Sequence, residues 1–363
     1  MKNKILFVNH SLSDGGSEKV MTIIANEFIK RNYDVSMIII EKSEKETYVL
    51  DDKVKRYYFE PRNKKGSDFV WTCIKYIRKI IRDIKPDVIV SFMIRINIMT
   101  IIADLGIKNK LLVSERAAPA YRKEKREMLH FLENTLYNFT TAVIVQTNQV
   151  KDMFVAPIRR KCVVIANPIQ PNLPTAFHGR RENSIVALGR LTKQKNFEML
   201  IKAFANCSTI IPEYSLKIYG DGEEREHLEE LISQLKMEDR IHLMGYVADV
   251  NQQIRDATIY VSSSNFEGIS NAMLEAMAIG LPVVCTDCPV GGAAMAIDDS
   301  NGILIPVGDQ KGLENAIKRI VNDSEFAEKI GRNAEKVRNR FSVENIVNQW
   351  EAVFSKDIAK EVN

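Results

Sequence analysis

Cysteine is scarce: there are five in 363 residues, an odd number without framework spacing. This excludes a disulfide-stapled scaffold and predicts a reducing, cytoplasmic compartment. Cys285 and Cys288 form a C-x-x-C with no second pair to complete a zinc site, so buried packing is the simpler expectation and no metal is expected. Long apolar runs are missing too. The start, MKNKILFVNH, offers only Ile5 to Val8 before Asn9 and His10, too short for a signal-peptide core. The most apolar stretch, VIVSFMIRINIMTIIADLG, is broken by Arg95 and falls short of the roughly 20 residues a bilayer span needs. The dinucleotide fingerprint G-x-G-x-x-G is absent after the first strand, where NHSLSDGGSEKV stands instead.

What is present is a globular composition, 45% hydrophobic over a length that suits about two domains. Net charge is only +4 but unevenly spread. Residues 1–170 hold 30 Lys and Arg against 19 Asp and Glu, a net +11; residues 171–363 hold 21 against 28, a net −7. No nucleic-acid motif accompanies the basic half, so nucleic acid is not expected as a partner. Two readings stay open for Lys53 to Lys85 and Arg122 to Arg126: solvated helix faces, or a surface for anionic lipid, where each nearby cation contributes about 1 kcal/mol.

Apolar runs of four to six residues alternate with amphipathic stretches of ten or more, the pattern of β-α units and parallel sheets. ILFVN, VSMIII, DVIVSF, LLVS and AVIVQT read as strands of a first domain, and SIVALG, LKIYG, IHLMG, IYVSS, LPVVC and GILIP as strands of a second. The Pro-rich 168–174 segment is the expected linker. The fold class is α/β, two tandem Rossmann-like doubly wound domains, 1–168 and 169–344. In such folds ligands bind at the carboxyl ends of the strands.

Three motifs fall there. In SNFEGISNAMLEAMAIGLPVV, Glu267 sits in a strand exit and Glu275 inside the following helix, whose expected core face is Ala272, Met273, Ala276 and Ile279. The helix start between them suits a phosphate. The two carboxylates fit hydroxyls on either side of it, Glu267 those of a transferred sugar and Glu275 those of a ribose. A turn acid and a solvated helix residue is the plainer alternative. In VALGRLTKQKNF, Arg190 and Lys195 follow a strand, where two cations can neutralise a diphosphate leaving group. Gly15 and Gly16 allow a backbone to approach a phosphate or sugar.

Together these stretches resemble the family 4 retaining glycosyltransferases of GT-B fold over nearly the whole chain. FEGISNAMLEAMAIGLPVV is similar to that family's E-x7-E element, supported in order by GGSEK, GRLTKQKNFEMLIKAF, IYGDGEEREHLEELI and HLMGYVADV. The resemblance implies transfer of a sugar from a nucleotide sugar, a UDP-sugar first of all, with retention and without a metal or other cofactor. It implies that Arg190 and Lys195 grip the donor diphosphate, Glu275 the ribose and Glu267 the sugar. Gly16 and the amides of Ile269, Ser270 and Asn271 would approach the phosphates, and the backbone near Val247 the base. It implies a last helix, residues 345–363, that crosses back onto the first domain.

The chain departs from the pattern at Ser262–Ser264, where many relatives carry Pro-Ser, and at Arg116, where many have a histidine. His10, Glu115, Arg116 and Arg122 are the acceptor-side candidates. The basic stretch YRKEKREMLHFLENTLY and the SERAAP context resemble enzymes that extend lipid-linked oligosaccharides of bacterial surface polysaccharides. A polyprenyl-diphosphate acceptor and peripheral attachment to the anionic inner face of the plasma membrane are therefore expected. A nucleotide-sugar epimerase of the same fold, an NAD-dependent oxidoreductase and a non-catalytic partner of a transferase are the alternatives.

Overall fold

The computed structural model describes residues 3–13, 15–42, 46–60, 66–107, 109–116 and 127–355. The chain divides into two units: Met1–Pro168 together with Val343–Asn363, and Ile169–Ser342.

The first unit carries β1 (Lys4–Asn9), β2 (Asp34–Ile39), β3 (Lys55–Tyr58), β4 (Val88–Phe92), β5 (Lys110–Ser114), β6 (Ala142–Val145) and β7 (Cys162–Val164). They form one sheet in the order β3-β2-β1-β4-β5-β6-β7. The second carries β8 (Glu182–Leu188), β9 (Ser215–Tyr219), β10 (Ile241–Gly245), β11 (Ala257–Ser262), β12 (Val283–Asp287) and β13 (Ile303–Pro306), ordered β10-β9-β8-β11-β12-β13. Pairings between these strands are parallel in both sheets. The strands are apolar because helices cover both faces: Ile5 to Val8 are fully buried, as are Ile185 and Ala187.

Both sheets reverse direction of growth at one point, between β1 and β4 and between β8 and β11. There the chain leaves neighbouring strands toward opposite faces and opens a crevice at their carboxyl ends. Two strands exceed the sequence expectation in the first unit, the edge strands β3 and β7. The last helix, Val343–Ser355, belongs to the first unit and starts two residues earlier than expected. Ile346, Trp350 and Phe354 are buried. Trp350 stacks on Phe92 at 6.0 Å and Phe354 on Phe28 at 5.1 Å.

Candidate active site

The adjacency of β8 and β11 brings together two loops that are about 70 residues apart in the chain. After β8 the backbone turns at Gly189, whose φ is +154°; a Cβ there would stand 2.8 Å from Lys195 Cε, so the bare glycine lets the lysine chain cross it. The β11 exit answers with Glu267. Lys195 Nζ donates to Glu267 Oε1 at 2.5 Å, and Ser264 Oγ to Glu267 Oε2 at 2.9 Å. Both charged side chains are mostly shielded, at 16% and 19% exposure.

A polar lacing fixes the two loops beside this pair. Asn265 N donates to the Gln194 carbonyl (2.8 Å), Asn265 Nδ2 to the Lys193 carbonyl (2.9 Å) and Gln194 Nε2 to the Phe266 carbonyl (2.9 Å). Asn196 Nδ2 donates to Asn265 Oδ1 (3.0 Å), and Ser263 Oγ to the Lys195 carbonyl (2.9 Å). Asn196, in the left-handed region, also caps the Phe197–Cys207 helix through its side-chain oxygen. Arg190, one residue beyond Gly189, is exposed and has no ion pair among the described residues. The shielded cation is thus already paired and the exposed one is not.

The β11 loop rests on Gly292, where a Cβ would fall 1.9 Å from the Gly268 carbonyl oxygen. The loop leads into the Asn271–Ala278 helix, capped by Ser270, whose Oγ accepts from Met273 N. Met273 to Ala278 are all buried, while Ala272 is only partly so, correcting the expected core face. Glu275 is itself buried, at 5% exposure, so it is not a solvated helix residue. Asn251 Nδ2 donates to Glu275 Oε2 at 2.9 Å, and its Oδ1 is buried with no partner. Val247 lies between β10 and the Val250–Gln253 turn that carries Asn251.

Cys285 and Cys288 are buried free thiols behind the β11 exit. Burial pushes both above the ordinary thiol range, and Cys288 Sγ donates to the Ser264 carbonyl at 3.1 Å. They pack as neutral thiols.

In the first unit, Gly15 precedes the Gly16–Lys30 helix in extended conformation, and Gly16 is exposed at its start. His10 is half exposed, 3.3 Å from Glu41. Glu115 is buried: Oε1 accepts from Asn97 Nδ2 at 2.8 Å and from the Tyr137 hydroxyl. Burial, then the charges of Glu115 and Glu133, raise the Tyr137 pKa well above its ordinary value, so the phenol stays protonated and donates. Arg116 Nη1 donates to Asn167 Oδ1 at 2.6 Å. Arg122 lies outside the described residues.

Sequence reasoning missed Asn251, Gln194, Asn196 and Asn265. The amides crowding KQKN and SSSN were the available signal, since such residues favour loops that bond backbone. Their pairing needed the strand order.

Two family models match: Glycosyltransferase Family 4 over residues 14–173 and Glycosyl transferases group 1 over residues 175–337. The chain is a GT-B glycosyltransferase. It is 27% identical over 358 residues to a Campylobacter jejuni enzyme, covering 96% of this chain and 97% of the relative. That relative is named GalNAc-α-(1→4)-GalNAc-α-(1→3)-diNAcBac-PP-undecaprenol α-1,4-N-acetyl-D-galactosaminyltransferase. It is 22% identical to the amylovoran biosynthesis glycosyltransferase AmsD of Erwinia amylovora, covering 98% of this chain and all of the relative. Among solved structures, Anabaena HepE in complex with UDP and glucose superposes with a TM-score of 0.82 at 22% identity, covering 97% of this chain and 99% of HepE. Sucrose-phosphate synthase from Thermosynechococcus elongatus gives 0.83 at 18%, covering 99% and 100%. The glycosyltransferase has no helix among its described residues long and apolar enough to cross a membrane.

Proposed function

We propose that this glycosyltransferase moves a sugar, with retention, from a nucleotide sugar, UDP-sugar first among the candidates, to a glycan acceptor carried on polyprenyl diphosphate. The second unit binds the donor and the first the acceptor, at the cytoplasmic face of the inner membrane in surface-polysaccharide synthesis. The Lys195–Glu267 pair at the β8/β11 switch point, beside exposed Arg190, carries the reading. The Campylobacter relative supports the acceptor class through its undecaprenol-diphosphate name, and HepE supports UDP.

The chemistry follows from charge. As the anomeric C–O bond breaks, negative charge grows on the departing diphosphate. Arg190 meets it, and Lys195 turns part of its charge from Glu267 toward it, stabilising the leaving group without a metal. Glu267 accepts from hydroxyls of the transferred sugar. The amides of Ile269, Ser270 and Asn271 approach phosphate oxygens in the second unit, and in the first unit the bare Gly16 backbone suits close approach of a phosphate or sugar. Glu275 accepts from the ribose and Asn251 Oδ1 takes a second ribose hydroxyl, while the Val247 backbone meets the base. The acceptor oxygen bonds the anomeric carbon and its proton passes to the departing phosphate oxygen. His10, Glu115, Arg116 and Arg122 serve the acceptor side, Glu115 by holding the β5 exit in place.

The test is transfer itself, in EDTA, from UDP-hexoses and UDP-N-acetylhexosamines to polyprenyl-diphosphate-linked and to free oligosaccharides. A product made only on the lipid-linked acceptor, with the donor's anomeric configuration by NMR, is expected. Conversion of the donor without any acceptor would make the chain an epimerase; loss of turnover in EDTA would remove the metal-independent mechanism.

A further inference from the structure

At the end of β5 the first unit holds a cation with two unused donors. Three contacts fix the plane of the Arg116 guanidinium: Nη1 bonds Asn167 Oδ1 at 2.6 Å, the group lies 4.4 Å over the Phe92 ring, and Phe92 stacks in turn on Trp350. The remaining nitrogens, Nε and Nη2, are closed to solvent and have no hydrogen-bond partner. These two share one edge of the guanidinium, the fork that spans two oxygens of a single carboxylate or phosphate. Glu115 next door does not reach that edge, and its Oε1 is taken by Asn97 and Tyr137.

Burial pulls the Arg116 pKa down, to about 9, against the opposing charge of Glu115, so the group is still a cation at neutral pH. A buried cation with two nitrogens left without partners carries an uncompensated desolvation cost, which an entering oxyanion removes. The residue as a whole is partly exposed.

We propose that Arg116 anchors an oxyanion subsite in the first unit, its Nε and Nη2 gripping two oxygens of one phosphate or carboxylate group. The source of that group rests on the transferase reading: a polyprenyl-diphosphate acceptor presents phosphate, and an acidic sugar presents carboxylate.

Wild type, Arg116→Met and Arg116→Lys are compared by thermal unfolding, with and without saturating UDP, while titrated with inorganic phosphate, glucuronate, or glucose as the neutral control. At least one oxyanion should bind wild type roughly tenfold or more tighter than Arg116→Met. Arg116→Lys, which keeps the charge but not the fork, should lie between them, and glucose should do nothing. The tighter oxyanion names the source. Unliganded Arg116→Met should melt no lower than wild type, since it removes an unpaired buried charge; if that variant does not fold, the lysine variant decides. The proposal is overturned if neither oxyanion distinguishes wild type from both variants, or if lysine binds as well as arginine. A missing UDP response counts against the transferase reading instead, and the titrations without UDP still decide this one.

Discussion

The two units share a strand order and differ in what their switch points hold. At β8/β11 the exit loops are tied to each other: Lys195 to Glu267, and residues 193–196 to 263–266 through side chains bonding backbone. In the first unit the polar groups at the β4 and β5 exits turn inward instead. Ser91, Asn97, Glu115 and Tyr137 form a buried network, leaving Arg116 with a vacant edge. One strand order thus carries two arrangements of charge at its switch points. The second unit holds its shielded charges as a pair, Lys195 with Glu267; the first sets a buried hydrogen-bonded frame beside a cation with an unpaired edge. The charge asymmetry of the sequence, net +11 in residues 1–170 against −7 in residues 171–363, sets the same regions apart except for the last helix, which belongs to the first unit.

The largest effect should come from emptying the core of one unit. Trp350 is fully buried in the first unit, so Trp350→Ala should destabilise that unit by about 3–5 kcal/mol, the usual cost of emptying an aromatic core site. Hydrogen exchange should speed up in residues 4–164 and leave the second unit's strands protected. Equal loss of protection in both would show that they fold as one body.

Next come the charges. Arg190→Ala and Lys195→Ala should each lower turnover by about 10²-fold or more, the scale of losing one donor to a developing negative charge. Transfer rates near wild type in both would remove the leaving-group role. A weaker effect is expected beyond the reacting atoms: Asn251→Ala removes a hydrogen bond to Glu275 and should weaken UDP binding about tenfold by calorimetry. An unchanged affinity would reduce Asn251 to packing.

The smallest test is structural. Glu314 is buried; burial favours its protonated form, but hydrogen bonds from Asn206, Lys311 and Gln310 outweigh that and hold its pKa at about 2. Because the folded value lies below the ordinary carboxyl value of 4.5, its contribution is present above that pH and fades as pH falls toward about 2. Denaturant midpoints of the second unit should drop across this window, and Glu314→Gln should flatten the drop. A wild-type profile that is already flat would contradict the assignment.

Much of the fold was legible because buried parallel strands are nearly continuous apolar runs: ILFVN or SIVALG cannot be solvated. The two strands that escaped notice are edges. KRYY is charged and half exposed and CVV is three residues long, so neither needed the apolar run that marks a central strand. For the candidate site, Glu267, Glu275, Arg190 and Lys195 could be singled out by their motifs together with the family resemblance. Their partners could not, because Asn265 meets Lys193 only when β8 and β11 are neighbours. The burial of Glu275 was also hidden: a helix of eight residues with one charge reads as amphipathic, and only the packed structure shows that charge at 5% exposure.

The central claim is that the paired loops of the second unit form a nucleoside-diphosphate site. It is tested most directly by thermal unfolding in EDTA with UDP, GDP, ADP, CMP or NAD in excess. A ligand at about 100 times its dissociation constant adds roughly 2.7 kcal/mol. The account predicts a rise in melting temperature with UDP that is lost in Arg190→Ala and Lys195→Ala. No rise with any nucleoside diphosphate, or a rise with NAD alone, would contradict it.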